Sequence, residues 1–463
     1  MTTPDMITNE LPVAIIGAGP VGLAAAANCA ERNIPFRVYE AGATVGANLR
    51  DWGHVRVFTT WAQNVDPVSR RLLEAGGWAM ADPDALPTGE DLYREYLEPL
   101  AAVLNGSITT GAKVTRIARQ GLDKVTSKGR AARPFELRID AGNGKQRTEL
   151  ARAIIDASGT WQNANPLGGS GLAAEGESEH RARIAYGMPD VLGTQRQRYA
   201  GKRIAVIGSG YSAINVLLDL AQLCRDAPKT HVTWIVRGKN LAKIYGGGAN
   251  DQLPARGKLG LLLKPLVDQG RIALVHGFSA HAIANGGDAL TLAGATATGS
   301  QSIEGIDEII VCTGQRPDLD MTRELRVELD PWLESAKALG PLIDPNVHSC
   351  GSVPPHGHRE TSHPEPGFYT IGVKSYGRAP TFLLLTGYEQ ARSVVAAIAG
   401  DLEAADKVQL TLPETGICES DLIDDGIPCC GKASDETPVE RTPIEIRVPV
   451  TAAKSGGCCG PRP

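Results

Sequence analysis

The chain of 463 residues lacks any run of about 18 consecutive apolar residues and lacks a basic-then-apolar opening. Those absences remove the sequence signals of a membrane-spanning helix and of a secretory leader, and a soluble, cytoplasmic protein is expected. Long blocks of one charge are missing as well. A net charge of -5 is spread over 47 basic and 52 acidic residues, which argues against nucleic acid or an anionic membrane surface as a partner. No Cys-x-x-Cys or Cys-x4-Cys pair stands beside the glycine-rich segments, so the dithiol relay of a disulfide-reducing enzyme is not written into them. No hydrolytic motif is present either. The length exceeds what one ordinary core fills and implies two or three domains.

What the chain has in abundance is glycine, 53 residues, and two groups of them carry information. The first is Gly17-Ala18-Gly19-Pro20-Val21-Gly22, preceded by the apolar run Val13-Ala-Ile-Ile16 and followed by an Ala-rich stretch to Arg32. Strand, tight turn and helix thus follow in the order that a dinucleotide requires. Gly17 allows the turn, Gly19 lets backbone approach a pyrophosphate, and Gly22 lets helix and strand come close, with the helix N-terminus aimed at the anion. The next strand, Arg37-Val-Tyr-Glu40, ends on an acid placed to accept from a free ribose 2'-hydroxyl and to repel a 2'-phosphate. This site reads as FAD, with Val114 and Ser158-Gly159 completing its set of contacts.

The second group is Gly208-Ser209-Gly210-Tyr211-Ser212-Ala213, entered from Arg203-Ile-Ala-Val-Ile207. Its following strand, Val232-Thr-Trp-Ile-Val236, ends in Arg237, and a fixed guanidinium fork there suits a 2'-phosphate. This site reads as NADPH. The alternative for Arg237 is a solvated surface residue. Ala213 replaces the third glycine without steric conflict.

The expected fold is α/β, with two Rossmann-type dinucleotide-binding domains and a flexible C-terminal tail. Residues 1–165 and 315–410 form a discontinuous FAD domain. Residues 166–314 form an inserted NADPH domain with its linker, and residues 411–463 form the tail. Crossings between the domains are placed at Asp156-Ala-Ser158-Gly159-Thr-Trp161 and at Thr313-Gly314-Gln-Arg316-Pro317, after the strand Glu308–Cys312. A further strand is expected over Gly367–Gly372. A long helix lies between Ala379 and Gly400, beginning near Thr386, and its N-terminus either faces the flavin pyrimidine or lies in the core without touching cofactor.

Together these residues resemble the two-dinucleotide flavoproteins, and among them the flavin-containing monooxygenases, over roughly Leu11 to Asp401. In that family an aromatic residue is followed by Ser or Thr and, six positions after the aromatic, by an Asn lying over the flavin, and Phe58-Thr-Thr60-Trp-Ala-Gln-Asn64 has that spacing. The resemblance makes Asn64 the candidate catalytic residue. Asn64 can equally cap a helix over Asp66–Ala75. The family's linker pattern is matched by Gly176 and His180, but Ala174 and Ile184 replace its aromatics, and Ala47 and Leu49 break its Gly-Gly-x-Trp segment. These departures indicate a divergent branch. The run Lys374-Ser-Tyr-Gly-Arg-Ala-Pro-Thr-Phe382, with a Cys-Cys tail, resembles the flavoproteins encoded in arsenic-resistance operons. What the resemblance implies is an NADPH-consuming FAD monooxygenase acting on a soft nucleophile such as sulfur, nitrogen or trivalent arsenic, and it allows a homodimer. An oxidase or reductase that inserts no oxygen uses the same nucleotide motifs. A thiol-tail metalloid binder would use the tail alone.

Of nine cysteines, Cys29, Cys224 and Cys312 fall in expected helices or strands and read as small buried hydrophobes. Five come after residue 417: Cys418 and the pairs Cys429-Cys430 and Cys458-Cys459. Adjacent Cα atoms about 3.8 Å apart fall short of the comfortable disulfide span of about 4.4 Å, so each pair favours two thiols. Neighbouring thiols suit a soft thiophilic ion such as a trivalent arsenical, or the tail is an extension whose cysteines are incidental. His348, Cys350, His356, His358 and His363 lie in one Pro- and Gly-rich stretch without the paired spacing of a structural zinc site. They read as a loop over the flavin or substrate entrance, with metal binding as the alternative.

Overall fold

Four-residue apolar strands need both faces covered, and the chain supplies this with two parallel sheets flanked by helices. The computed structural model describes residues 10–142, 144–240, 244–245, 251, 253–347 and 353–410. In chain order, β1 (Val13–Ile16) leads into helix α1 (Pro20–Glu31), and β2 (Phe36–Tyr39) is followed by the short helices α2 (Ala47–Asp51) and α3 (Trp61–Asn64) and by α4 (Pro67–Ala75). After β3 (Ile108–Thr109) comes an antiparallel meander, β4 (Lys113–Arg119), β5 (Phe135–Asp140) and β6 (Gln146–Ala151), and then β7 (Ala153–Asp156). A second series runs β8 (Ile184–Tyr186), β9 (Arg203–Ile207), α5 (Tyr211–Asp226), β10 (His231–Val236), α6 (Pro254–Asp268) and β11 (Ala273–His276). Another meander, β12 (Ser279–Gly286), β13 (Ala289–Thr296) and β14 (Gly299–Ile306), precedes β15 (Glu308–Val311). The chain then returns through β16 (Phe368–Thr370) to α7 (Leu384–Ile398).

The first sheet has the order β16-β7-β1-β2-β3, every pair parallel, with Val13 opposite both Phe36 and Ala153. The second has the order β11-β10-β9-β15-β8, again wholly parallel. All four residues of β1 and of β7 are buried, as strands covered on both faces must be. In α1 the run Val21–Cys29 is buried almost without interruption, because small side chains let the sheet and α7 close on opposite sides. Asp66 caps α4 by accepting from the Ser69 amide at 2.7 Å, while Pro67 occupies the first helical position, where no amide donor is needed. The cap is therefore Asp66 and not Asn64.

Two segments that cross between the sheets run side by side. Ala164 pairs with Gln315, the Asn165 amide donates to Gly314 O at 2.9 Å, and the Arg316 amide donates to Asn163 O at 3.0 Å. The first meander is tied to the returning chain by Glu365, a fully buried carboxylate that accepts from Arg119 Nε at 2.7 Å, Arg130 Nη2 at 2.6 Å and the Arg326 amide at 3.0 Å. Among the described residues no helix is long and apolar enough to cross a membrane. The five cysteines after residue 417, with His348 and Cys350, lie outside the described residues.

Candidate active site

Both glycine turns stand between strand and helix, and each is shaped by what its first glycine touches. Gly17 has φ +97°, and a Cβ there would lie 2.7 Å from Ala157 O, just beyond the neighbouring strand β7. Gly208 has φ +131°, and a Cβ there would lie 2.3 Å from Cys312 O, just beyond β15. The two turns are therefore built alike, each resting on the end of a parallel neighbour. That contact explains why Ser158-Gly159 and Thr313-Gly314 echo one another: they are the residues that next leave those strands. Gly22 cannot carry a side chain, since a Cβ would sit 2.0 Å from Gly17 O.

The second glycine of each turn faces the opposite situation. Among the described residues nothing lies within 4 Å of a Cβ built on Gly19 or on Gly210. Both residues are N-caps without a side-chain hydrogen bond, and neither α1 nor α5 has an acid in its first turn. Open space before an uncapped helix N-terminus fits a pyrophosphate at each turn. The residues present thus fit two dinucleotides.

Glu40 follows β2 and bridges back to the first turn, accepting from the Ala18 amide at 2.8 Å and the Gly42 amide at 2.7 Å. Pro20 opens α1. Val114 is buried in β4 against a cluster that includes Ile16 and Tyr39. In the second turn Ser209 and Ser212 flank Gly210 and Tyr211, and Ala213 is fully buried at the third glycine position. Arg237, exposed at the end of β10, donates to Gly169 O at 2.6 Å. Thr313 Oγ1 donates to Asn165 O at 3.1 Å, and Gly314, at φ +83°, lies in the paired crossing.

Asn64 is buried, and its amide nitrogen donates to Thr59 O at 2.9 Å and Thr60 O at 2.8 Å while Oδ1 accepts from Thr59 Oγ1 at 3.0 Å. Its carbonyl accepts from the Tyr388 hydroxyl at 2.6 Å. Tyr388 lies in the first turns of α7, where Gly387 comes so close to α1 that a Cβ would meet Val21 Cγ2 at 2.5 Å. The Asn64 loop, the start of α7 and the first glycine turn are therefore neighbours. At the other end of the same loop, the Phe58 ring lies 5.5 Å from that of Tyr211 in the second turn.

Two buried arrangements here have no local sequence signature. Lys374, between β16 and α7, places Nζ 2.7 Å from Asp156 Oδ2 and 3.0 Å from Ser158 Oγ, and Ser158 Oγ in turn donates to Asp156 Oδ1 at 2.7 Å. Gln390 on α7 accepts from the Gly372 amide at 2.7 Å and donates to Ser375 Oγ at 2.9 Å and to His356 Nε2 at 3.0 Å. Because His356 Nδ1 must donate to Pro354 O, its Nε2 accepts, and burial holds the ring neutral by lowering its pKa. His363 is likewise neutral, its pKa pushed down to about 4 by burial, with Nδ1 donating to Glu328 O and Nε2 accepting from Thr370. His358 instead pairs with Asp406 at 2.9 Å. The three rings thus serve different partners, and among the described residues no group of three His, Cys, Asp or Glu side chains could hold a metal. Cys29 and Cys312 are buried thiols pushed up to about 12 by desolvation, far from the thiolate that redox chemistry needs.

Residues 11–362 match the family described as pyridine nucleotide-disulphide oxidoreductase. Indole-3-pyruvate monooxygenase YUCCA1 of Oryza sativa subsp. japonica is 29% identical over 231 residues, 46% of this chain and 45% of that protein. The chain thus spans about half the length of that curated relative. Among solved structures, bacillithiol disulfide reductase from Bacillus cereus superposes with TM-score 0.63 at 19% identity, covering 84% of this chain and 99% of that one. DfoA, a cadaverine monooxygenase from Erwinia amylovora solved with FAD, superposes with TM-score 0.60 at 12% identity, covering 89% and 99%. At such identities the superpositions show the fold alone. The family match spans three quarters of the chain and both glycine turns, and the chain therefore belongs to the pyridine nucleotide-disulphide oxidoreductase family.

Proposed function

We propose that this protein is an NADPH-consuming FAD monooxygenase acting on a soft nucleophile, with a trivalent arsenical as the candidate substrate. NADPH, a proton and O2 would give NADP+, water and the singly oxygenated substrate. Bound FAD would supply the relay of two electrons and the activation of dioxygen.

The observation that carries the reading is the segment Phe58–Asn64, which touches the second glycine turn through Tyr211 and the start of α7 through Tyr388. One loop thus lies beside both proposed nucleotide sites, where electrons must pass between them. Gly17, Gly19, Gly22 and Glu40 hold FAD, and Gly208, Gly210, Ala213 and Arg237 hold NADPH, with Arg237 exchanging Gly169 O for the 2'-phosphate. With FAD bound, the Asn64 loop would face the flavin and the N-terminus of α7 would offer it partial positive charge. The absence of Cys-x-x-Cys from the sequence and the inert thiols of Cys29 and Cys312 favour oxygen over a disulfide as the electron acceptor. The arsenical rests on the adjacent pairs Cys429-Cys430 and Cys458-Cys459, whose thiols prefer soft centres.

Oxygen uptake with NADPH, across a panel of sulfides, amines, ketones and trivalent arsenicals with product identification, tests this. Substrate-stimulated uptake with one oxygen recovered in the product is the expected outcome. Recovery of all reducing equivalents as hydrogen peroxide, whatever the compound added, would replace the reading with an oxidase. Titrating trivalent arsenic against the full chain and a version ending at Pro413 tests the tail, and equal affinity would remove it.

A further inference from the structure

A second place for an organic ligand lies against the paired crossing segments. There a cleft of about 580 Å³ is lined by residues that include Asp51, Trp161, Glu177, Arg181, Tyr186 and Gln315. Its size is ordinary for a small-molecule site. We propose that this cleft binds the cationic end of an organic molecule, a primary alkylammonium group.

The wall is built for an aromatic face. Gly187 has φ +83°, and a Cβ there would come 2.9 Å from Trp161 Cη2, so the missing side chain is what lets the indole lie against this backbone. Trp161 Nε1 and Gln162 Nε2 donate to the same oxygen of Asp51, Oδ2, at 3.0 and 3.2 Å. Among the described residues, Asp51 Oδ1 accepts no hydrogen bond and Asp51 is in no ion pair, both side-chain bonds falling on Oδ2. A carboxylate held through one oxygen by an indole N–H offers a cation both a charge partner and, in the same residue pair, a π face.

Among the described residues the second carboxylate of the cleft has no ion-pair partner. Glu177 is 4% exposed and accepts from the Leu167 amide at 2.9 Å, the Ala174 amide at 2.7 Å and the Tyr186 hydroxyl, all of them uncharged donors. The lining cation, Arg181, is exposed and already placed, with Nη1 donating to Ile184 O at 2.8 Å and the guanidinium carbon 4.5 Å from the centre of the Tyr186 ring. Asp51 and Arg181 are both exposed and both screened, so the buried Glu177, with two carboxylates to one guanidinium, leaves the lining negative.

The test uses the oxidised holoprotein without NADPH, so that failure of the oxygenase reading and failure of this one are separate results. Isothermal titration with n-pentylammonium, 1-pentanol and pentanoate at pH 7 compares one chain length in three charge states. Pentylammonium should bind at least about tenfold more tightly than the other two, and Asp51→Asn, which keeps an oxygen for the indole, should lose most of that advantage. Flavin absorbance and melting temperature would check that the variant is folded. Equal binding of the alcohol or the acid, no binding of pentylammonium, or an Asp51→Asn affinity within about twofold of the wild type would overturn the proposal.

Discussion

Lys374→Met should destabilise the protein and weaken its hold on FAD, because Lys374 compensates a carboxylate that has no access to water. The side chains of Lys374 and Asp156 are 3% and 1% exposed, and their charged atoms stand 2.7 Å apart. Without the ammonium, Asp156 keeps, among the described residues, only the Ser158 amide at 3.1 Å and the Ser158 hydroxyl at 2.7 Å. Removing one member of such a pair costs about 3–5 kcal/mol, whereas replacing both by apolar groups of similar size is often close to neutral. Lys374→Met should therefore melt well below the wild type, and Lys374→Met with Asp156→Leu should recover more than half of the loss. Ser158 joins this pair to the turn proposed to hold flavin, so the single variant should also release FAD more readily during gel filtration. Thermal melting of the three proteins and flavin content after filtration are the measurements. A single variant as stable as the wild type, or a double variant no better than the single, would show that the pair contributes no coupled stability and refute the reasoning.

Gly22→Ala places a methyl group 2.0 Å from Gly17 O, so it should yield protein with little bound flavin, whereas Gly210→Ala, which meets nothing within 4 Å among the described residues, should fold normally and weaken nicotinamide binding alone. Flavin absorbance and NADPH titration distinguish the two. Arg237→Ala should cost about 2 kcal/mol of NADPH binding, the worth of a charge-assisted hydrogen bond, lowering the preference for NADPH over NADH by roughly thirtyfold in kcat/KM; an unchanged ratio would return Arg237 to the solvated surface. His363 is held neutral with its pKa near 4, below the ordinary 6.5, so its stabilising contribution is complete above pH 6.5 and is lost as pH falls toward 4. His363→Gln should accordingly flatten the melting temperature over that window, and an acid limb as steep as the wild type's would assign the loss to other groups.

Both glycine turns, the strands before them and the long helix near Thr386 were legible in the sequence because each depends on a few consecutive residues. Glycine spacing sets the turn, an apolar run sets the strand, and small residues set the first helix. Asn64 was legible only as a spacing with two readings. The structure shows Asp66 as the cap of α4 and Asn64 folded onto Thr59 and Thr60, a choice made by Pro67 and Ser69 around the carboxylate rather than by the Asn itself. Lys374 opens the run Lys374–Phe382 with no local sign of its partner, since Asp156 lies more than 200 positions earlier and meets it only because β16 pairs with β7.

The sequence by itself determined two parallel nucleotide-binding units in one chain, each with an acid or a base after its second strand. It could do so because strand, turn and helix are specified within about 25 residues and need no distant contact. Only the tertiary structure decided that Phe58 meets Tyr211, that Tyr388 meets Asn64 across 324 positions, and that Glu365 gathers Arg119 and Arg130. Those meetings depend on the order in which strands join the two sheets and on where the two crossings run, and no local spacing encodes either.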